Sequence, residues 1–319
     1  MSFSTQTKDE LARLLPVKPC CALAELAALV RMDGTIKINP ESGLSLGVKT
    51  ENAAVARKIF KLAKQIFNFS VEIKAQKRRR LKKNNIYSIH FPQQQGMDSY
   101  LIMLGLLDED GAISQTIKKS LVKTQCCRRS YLRGAFLGAG SVNRPEGNYH
   151  LEIITSSLGY AHALSGLMNK FEGIQAKVSS RKKLHFVYLK ESEQIVAFLN
   201  IIGAHQALLN FENIRIVKGM RNQVNRLVNC ETANLNKTVN ASLKQVEYIR
   251  LIDETLGLDK LSPPLQKIAR GRLENPDVSL KVLGELMHPP IGKSGVNHRM
   301  RKIEEMGEEL KRRLAKSLE

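Results

Sequence analysis

The residues with the types and spacing to do chemistry in this 319-residue chain sit in a segment that occurs twice. From Cys20 it reads CCALAELAALVRMDGTI, and from Cys126, 106 residues later, it reads CCRRSYLRGAFLGAGSV. The register holds without a gap from the paired cysteines to Gly34 and Gly140, which marks a duplicated structural unit. The copies differ where chemistry could depend on it: Asp33 precedes the glycine of the first, Ala139 that of the second. Read locally, Asp-Gly at a helix end is turn chemistry, with Gly34 expected in the left-handed conformation. The cysteines raise the question of zinc, since thiolate sulfur is a favoured zinc ligand. The pairs Cys20-Cys21 and Cys126-Cys127 lack C-x-x-C spacing, and adjacent residues aim their sulfurs apart. Buried small thiols are therefore expected, with neither a metal nor a disulfide.

Cations form the second group. Lys74, Lys77, Arg78, Arg79, Arg80, Lys82 and Lys83 crowd one hairpin without an acid among them, and Arg181, Lys182 and Lys183 stand at the matching place in the second copy. A charge run is either a solvated turn or a phosphate-binding surface, and the mutual repulsion of so many cations makes an anionic partner physically attractive. The third group lies in SLKVLGELMHPPIGKSGVNHRMRKIEEMGEEL, residues 279–310. Ser279 can cap a short helix that His288-Pro289-Pro290 ends. Ser294 is expected to cap a second helix with the core stripe Val296, Met300, Ile303 and Leu310. This is helix-turn-helix spacing, in which the second helix enters the major groove and its early polar residues meet bases and phosphates. Double-stranded DNA is the expected partner, contacted by Lys293, Ser294, Asn297, His298, Arg299, Arg301 and Lys302, with Lys293 and Arg301 foremost at phosphates. The two basic hairpins would add backbone contacts from Lys77, Arg78, Arg79, Arg80, Lys82, Lys83, Arg181, Lys182 and Lys183.

Elements must position these groups. A helix is expected over about residues 5–15, capped by Ser4 or Thr5 and stopped by Pro16. Apolar spacing then gives the order α-β-β-α-β-β-α: a helix at 22–32, strands at 35–39 and 44–49, a helix at 52–67, strands at 71–75 and 86–91, and a helix at 97–107. The order repeats as 130–139, 141–142, 149–155, 160–171, 176–179, 185–189 and 193–202. Small residues at helical spacing, Ala24, Ala27 and Ala28 against Gly134 and Gly138, would let the two repeat helices meet backbone to backbone about a pseudo-twofold axis. Asp33 would then lie beside Ala139, and the strands would form one continuous saddle. The expected plan is an N-terminal helix (1–19), a duplicated domain (20–212, repeats about 20–110 and 126–205), an Asn-rich linker helix (213–240) and an all-α domain (241–319) with its helix-turn-helix at about 278–311. The polar stretch 221–229 either fixes the two domains or touches phosphate.

LAALVRMDGTI and LRGAFLGAGSV resemble the two motifs of a monomeric LAGLIDADG homing endonuclease. In that family the last acid of each motif holds a divalent metal near a scissile phosphate, and the sheet saddle grips the DNA groove. By this resemblance Asp33 matches the metal-binding acid of the first motif and Ala139 takes its place in the second. The sixth motif positions are Arg31 and Leu137. Two-metal cleavage needs paired carboxylates, so the resemblance implies a nuclease-like scaffold that is not an enzyme, with no metal and Asp33 only a vestigial candidate ligand. The whole chain resembles the WhiA family of Gram-positive bacteria. The resemblance rests on the CC pairs, on ENAAVARKI from Glu51, on IGAHQALLNFENIRIVKGMRNQVNRLVNCETANLNKT from Ile202 and on KSGVNHRMRKIEE from Lys293. It implies a DNA-binding protein of transcription regulation, cell division and chromosome segregation, with sporulation in some lineages. It implies other regulators or division proteins as further partners, and no cofactor.

Bulk composition agrees with a polyanionic partner: 50 Lys and Arg against 30 Asp and Glu leave a net charge of +20. A hydrophobic content of 43% suits sizeable cores. Residues 22–30, the most apolar early stretch, are too short to span a bilayer and contain Glu25. No signal peptide is visible, and five cysteines, four in adjacent pairs, do not make a secreted disulfide framework. A cytoplasmic, nucleoid-associated protein without membrane insertion is expected. Its fold class is α+β: a two-repeat LAGLIDADG homing-endonuclease-like αββαββα domain followed by an all-α helix-turn-helix domain. Two other readings stay open, an active metal-dependent DNA endonuclease and a protein-interaction scaffold using the saddle face.

Overall fold

A computed structural model describes residues 2–39, 43–67, 70–77 and 85–317. They divide into two compact units, Met1–Gly219 and Met220–Glu319. The first opens with α1 (Phe3–Arg13), which starts earlier than expected because Ser2 is the cap: its hydroxyl accepts the Thr5 amide at 3.1 Å. Phe3 is thereby placed in the core, 6.2 Å from the ring of Phe211.

The expected order then occurs twice. The first copy is α2 (Pro19–Asp33), β1 (Gly34–Asn39), β2 (Gly43–Thr50), α3 (Ala53–Phe67), β3 (Glu72–Lys77), β4 (Asn85–Phe91) and α4 (Met97–Met103). The second is α5 (Gln125–Ala139), β5 (Gly140–Val142), β6 (Leu151–Thr155), α6 (Leu158–Met168), β7 (Lys177–Arg181), β8 (Leu184–Leu189) and α7 (Ser192–Ile202). Each copy folds its strands into an antiparallel sheet, β1-β2-β4-β3 and β5-β6-β8-β7. No strand ladder joins the two among the described residues, so the single continuous saddle expected from the sequence is instead two sheets. Alternation along the strands sends Leu46, Val48, Ile89 and Phe91 into the core and leaves Thr35, Lys37, Ser45 and Lys49 on the open face.

What joins the copies is the contact between α2 and α5. Ala24, Ala27 and Ala28 are fully buried there. A Cβ on Gly134 would stand 2.4 Å from the Glu25 carbonyl oxygen, and one on Gly138 would stand 2.6 Å from the Met32 Cβ. Only glycine permits this approach. Beside it, the fully buried Glu25 carboxylate pairs with Lys58 of α3 and accepts Arg133 Nε and Nη2 of α5 at 3.0 and 2.8 Å. Lys58 also donates to the carbonyls of Leu11 and Leu14 at 2.8 and 2.6 Å, and Arg133 Nη1 to that of Ile202 at 3.2 Å. A buried carboxylate is tolerable only when so fully matched.

Gly34 and Gly140 are not left-handed. Their φ/ψ values of −83/147° and −80/150° carry the chain straight from helix into strand. Sterics select glycine here: a Cβ would lie 2.1 Å from the Val30 oxygen at Gly34 and 2.3 Å from Phe136 Cδ2 at Gly140.

Helix α8 (His205–Thr255) begins in the first unit and ends in the second. It runs unbroken through the stretch the sequence divided into a linker helix and a separate helix, because no proline interrupts it, and it ends before Gly257, at φ +82°. The second unit continues with α9 (Pro263–Glu274), α10 (Leu280–Glu285) and α11 (Lys293–Ser317) around Ile249, Ile252, Ile268, Leu283, Val296, Met300 and Ile303. Ser279 caps α10 as expected, accepting the Val282 amide at 3.3 Å. Ser294 does not cap α11, which already starts at Lys293. The turn between them is tight: a Cβ on Gly284 would meet the Ile291 oxygen at 2.2 Å. Among the described residues no helix is long and apolar enough to cross a membrane.

The helix contact yields a direct test. Gly134→Ala should cost about 1–3 kcal/mol, whereas Gly166→Ala, on a helix surface where nothing lies within 4 Å, should be neutral or gain up to about 1 kcal/mol. Urea denaturation of the full chain reads both; equal effects would show that the α2–α5 approach is not tight.

Candidate nucleic-acid interface

Helix α11 divides its charge along its length. Lys293, Ser294, Asn297, His298, Arg301 and Lys302 are exposed on its amino-terminal half. At about 100° per residue they cover one side, opposite the buried Val296 and Ile303. Lys293, Arg301 and Lys302 make no ion pair with any described residue. The carboxyl-terminal half is balanced instead. Glu304 accepts Gln245 at 2.9 Å, Glu308 pairs with Lys244 at 3.0 Å, Lys311 with Glu247 at 2.8 Å, and Arg313 with Glu309. The Lys244 ammonium holds the Glu308 carboxyl below its usual range, and Glu247 raises the Lys311 ammonium. Arg299 departs from the expected group: it is half-buried on the flank of the helix and lines a cavity with Pro263, Lys267, Met287 and His288.

The hairpins occupy equivalent places, since β3 and β7 are the corresponding edge strands of the two sheets. Arg181, Lys182 and Lys183 are exposed, and Lys182 takes the turn at φ 57°. In the first copy Lys74 is paired with Glu72 at 3.3 Å, and Lys77 closes β3. Arg78, Arg79, Arg80, Lys82 and Lys83 lie outside the described residues. The sequence reading passed over Lys37 and Lys49 on the open face of the first sheet, although strand alternation alone places them there. The corresponding face of the second sheet differs, carrying Ile154, Leu184, Phe186 and Tyr188.

The ends of the duplicated helices meet as expected, with Asp33 Oδ2 3.6 Å from where a Cβ on Gly138 would be. The unforeseen neighbour is Lys8 of α1. Its ammonium faces Asp33 and donates to the Gly138 carbonyl at 3.4 Å. Burial raises the Asp33 carboxyl to about 6 against the opposing pull of Lys8, and burial lowers the Lys8 ammonium against the pull of Asp33. One half-buried carboxylate, an alanine without a donor and a fixed ammonium do not fit a pair of divalent metals, whose charge needs several anionic ligands.

The cysteines also depart from expectation. Cys21 and Cys127 are buried, but Cys20 is exposed and Cys126 partly so. The sulfurs do not point apart: those of Cys20, Cys21 and Cys127 all lie within 4.8 Å of one another.

Three family models match the chain. They are described as the WhiA N-terminal LAGLIDADG-like domain (residues 19–107), the WhiA LAGLIDADG-like domain (128–221) and the WhiA C-terminal HTH domain (224–307). The chain is 58% identical over 312 residues to the probable cell division protein WhiA of Heliobacterium modesticaldum, covering 98% of each. To the protein of that name from Desulfitobacterium hafniense it is 59% identical over 310 residues, covering 97% of this chain and 96% of the relative. The crystal structure of full-length DUF199/WhiA from Thermatoga maritima shares the fold at a TM-score of 0.58 and 24% identity, over 97% of this chain and 99% of that one.

The Asp33 carboxyl fixes a pH dependence. Its folded value of about 6 lies above the ordinary 3.8, so the folded state holds the proton more tightly and stability falls as pH rises from about 4 to about 6. Asp33→Asn should therefore gain on the parent over this window, by on the order of 1–2 kcal/mol. Urea midpoints at pH 4, 5, 6 and 7 measure it, and a constant difference would contradict the burial of this carboxyl.

Proposed function

The chain belongs to the WhiA family, and from that premise we propose that it binds double-stranded DNA without cutting it. Its helix-turn-helix, α10 and α11, would choose the site, and the LAGLIDADG-like unit would add backbone contacts. The protein acts in transcription regulation, cell division and chromosome segregation, with sporulation where the lineage sporulates, and works in the cytoplasm on the nucleoid. The observation that carries this reading is the charge partition on α11. On the packed half of the helix Lys311 and Arg313 are paired with Glu247 and Glu309, whereas Lys293, Arg301 and Lys302 are left for a polyanion beside Asn297 and His298, in the part of a recognition helix that meets base edges. Lys37, Lys49 and the Arg181–Lys183 turn extend the positive surface of the first unit. Ala139 and the Lys8 ammonium at Asp33 support the reading that it does not cut.

A protein-interaction scaffold is the second reading, favoured by the apolar residues on the open face of the second sheet, where Leu184 is 45% exposed beside Phe186 and Tyr188, in register with Lys177, Arg181 and Glu152. The two readings assign different surfaces and are compatible in one molecule.

Arg301→Ala with Lys302→Ala should weaken DNA binding by about 10-fold or more and flatten the log–log salt dependence by about two. Lys311→Ala, whose charge is already paired with Glu247, should leave both unchanged. Fluorescence anisotropy across a salt series measures this, and unchanged affinity in the Arg301/Lys302 variant would remove α11 from the interface. Reversing the charges of Lys77–Lys83 tests that hairpin in the same assay. Cleavage with magnesium or manganese that disappears in Asp33→Ala would instead establish an endonuclease.

A further inference from the structure

The DNA-binding reading makes no use of the cysteines at the opposite ends of the duplicated helices. Cys20 and Cys21 are the second and third residues of α2, and Cys126 and Cys127 hold the same positions in α5. The pseudo-twofold relation therefore exchanges one pair for the other. The Sγ atoms of Cys20, Cys21 and Cys127 are mutually within 4.8 Å. The Cys126 thiol interacts with those of Cys21 and Cys127, and the Cys127 thiol with that of Cys20. The exposed cysteine of each helix thus stands against the buried cysteine of the other. That alternation has the symmetry of a tetrahedron with a twofold axis through its centre.

All four residues lie in the first turn of a helix, where free backbone N–H groups and the helix dipole stabilise negative charge. The Thr124 hydroxyl lies 3.2 Å from Cys126 Sγ. Zn–S bonds of about 2.3 Å set tetrahedral sulfurs about 3.8 Å apart, so the Cys20, Cys21 and Cys127 thiols, within 4.8 Å of one another, need only small side-chain rotations to close on an ion, and Cys126 would turn in to complete the four.

We propose that Cys20, Cys21, Cys126 and Cys127 form a tetrathiolate site for one zinc ion per chain, clipping together the amino-terminal ends of α2 and α5. Binding exchanges the protons of the thiols for the metal: Zn²⁺ and four S–H groups give a doubly negative Zn(S)₄ centre and release four protons to solvent. No oxidation is involved. The residual charge is offset by the two helix ends and by Lys18. An ion on the axis would fasten the copies at the end remote from Asp33, closing a structural site with no open coordination position.

The full chain, stripped with a chelator under anaerobic reducing conditions, is titrated with Zn²⁺ against a chromophoric competitor and separately with Co²⁺. The expected result is one ion per chain, with the ligand-field and charge-transfer bands of tetrahedral cobalt thiolate. Cys20→Ser with Cys126→Ser, the two less buried positions, should weaken zinc binding by about 100-fold or more, while Cys230→Ser on α8 should leave it unchanged. In the unmodified chain, zinc should protect four thiols from alkylation and leave Cys230 reactive, which tests the site even if the double variant folds poorly. Unchanged affinity in a folded double variant, or no protection of the four thiols, overturns the proposal. So does isolation of the chain under reducing conditions with an intact Cys20–Cys127 or Cys21–Cys126 disulfide.

Discussion

The contact of Gly134 with the Glu25 carbonyl oxygen is the constraint on which the first unit depends. Two helices that meet backbone to backbone leave no room for a side chain between them, so their relative position is set by main-chain sterics and not by side-chain repacking. Every other feature of the unit follows from that axis. Each helix runs directly into a strand, so fixing the helices fixes both sheets. Midway along, Glu25 gathers Lys58 and Arg133 and ties in α1 and α7 through the Leu11, Leu14 and Ile202 carbonyls. A carboxylate buried this deeply without either cation would cost several kcal/mol, so the network commits α1 and α3 to one arrangement around the helix pair.

The two ends of the axis have diverged chemically. At the carboxyl-terminal end Asp33 stands opposite an alanine, and Lys8 places an ammonium where a metal would need negative ligands. At the amino-terminal end four thiols have been kept together. Duplication alone brings equivalent residues into proximity, but it does not explain the exposure of Cys20. Among the described residues, exposed cations elsewhere include Lys37 and Lys49 on the first sheet, the Arg181–Lys183 turn and those of the first half of α11.

Much of this was legible in the sequence, and the reasons differ by element. The offset repeat exposed the order of elements, because apolar spacing and the glycines were copied together. The small residues of α2 and α5 announced their contact, since nothing else rewards alanine and glycine at that spacing. The seat of Lys8 was not legible: it joins residues 130 positions apart, and no local pattern records such a meeting. The glycines were read through handedness, whereas the space beside Val30 and Phe136 is what selects them. Helix α8 was divided on composition, although asparagine-rich sequence without proline can continue a helix. On α11 the polar face was legible residue by residue. Arg299 alone of that group is half-buried; a list of polar residues ignores the hundred-degree step between neighbours.

The central claim is that α11 chooses where on DNA this protein sits while the duplicated unit does not cut. The most direct measurement is a genome-wide occupancy map of the intact chain in its own cells, compared with the Asn297→Ala, Arg301→Ala variant expressed at the same level. The account predicts discrete sites for the parent, their loss in the variant, and no strand breaks at the occupied positions. Sites that persist unchanged in the variant, or breaks that coincide with them, would contradict it.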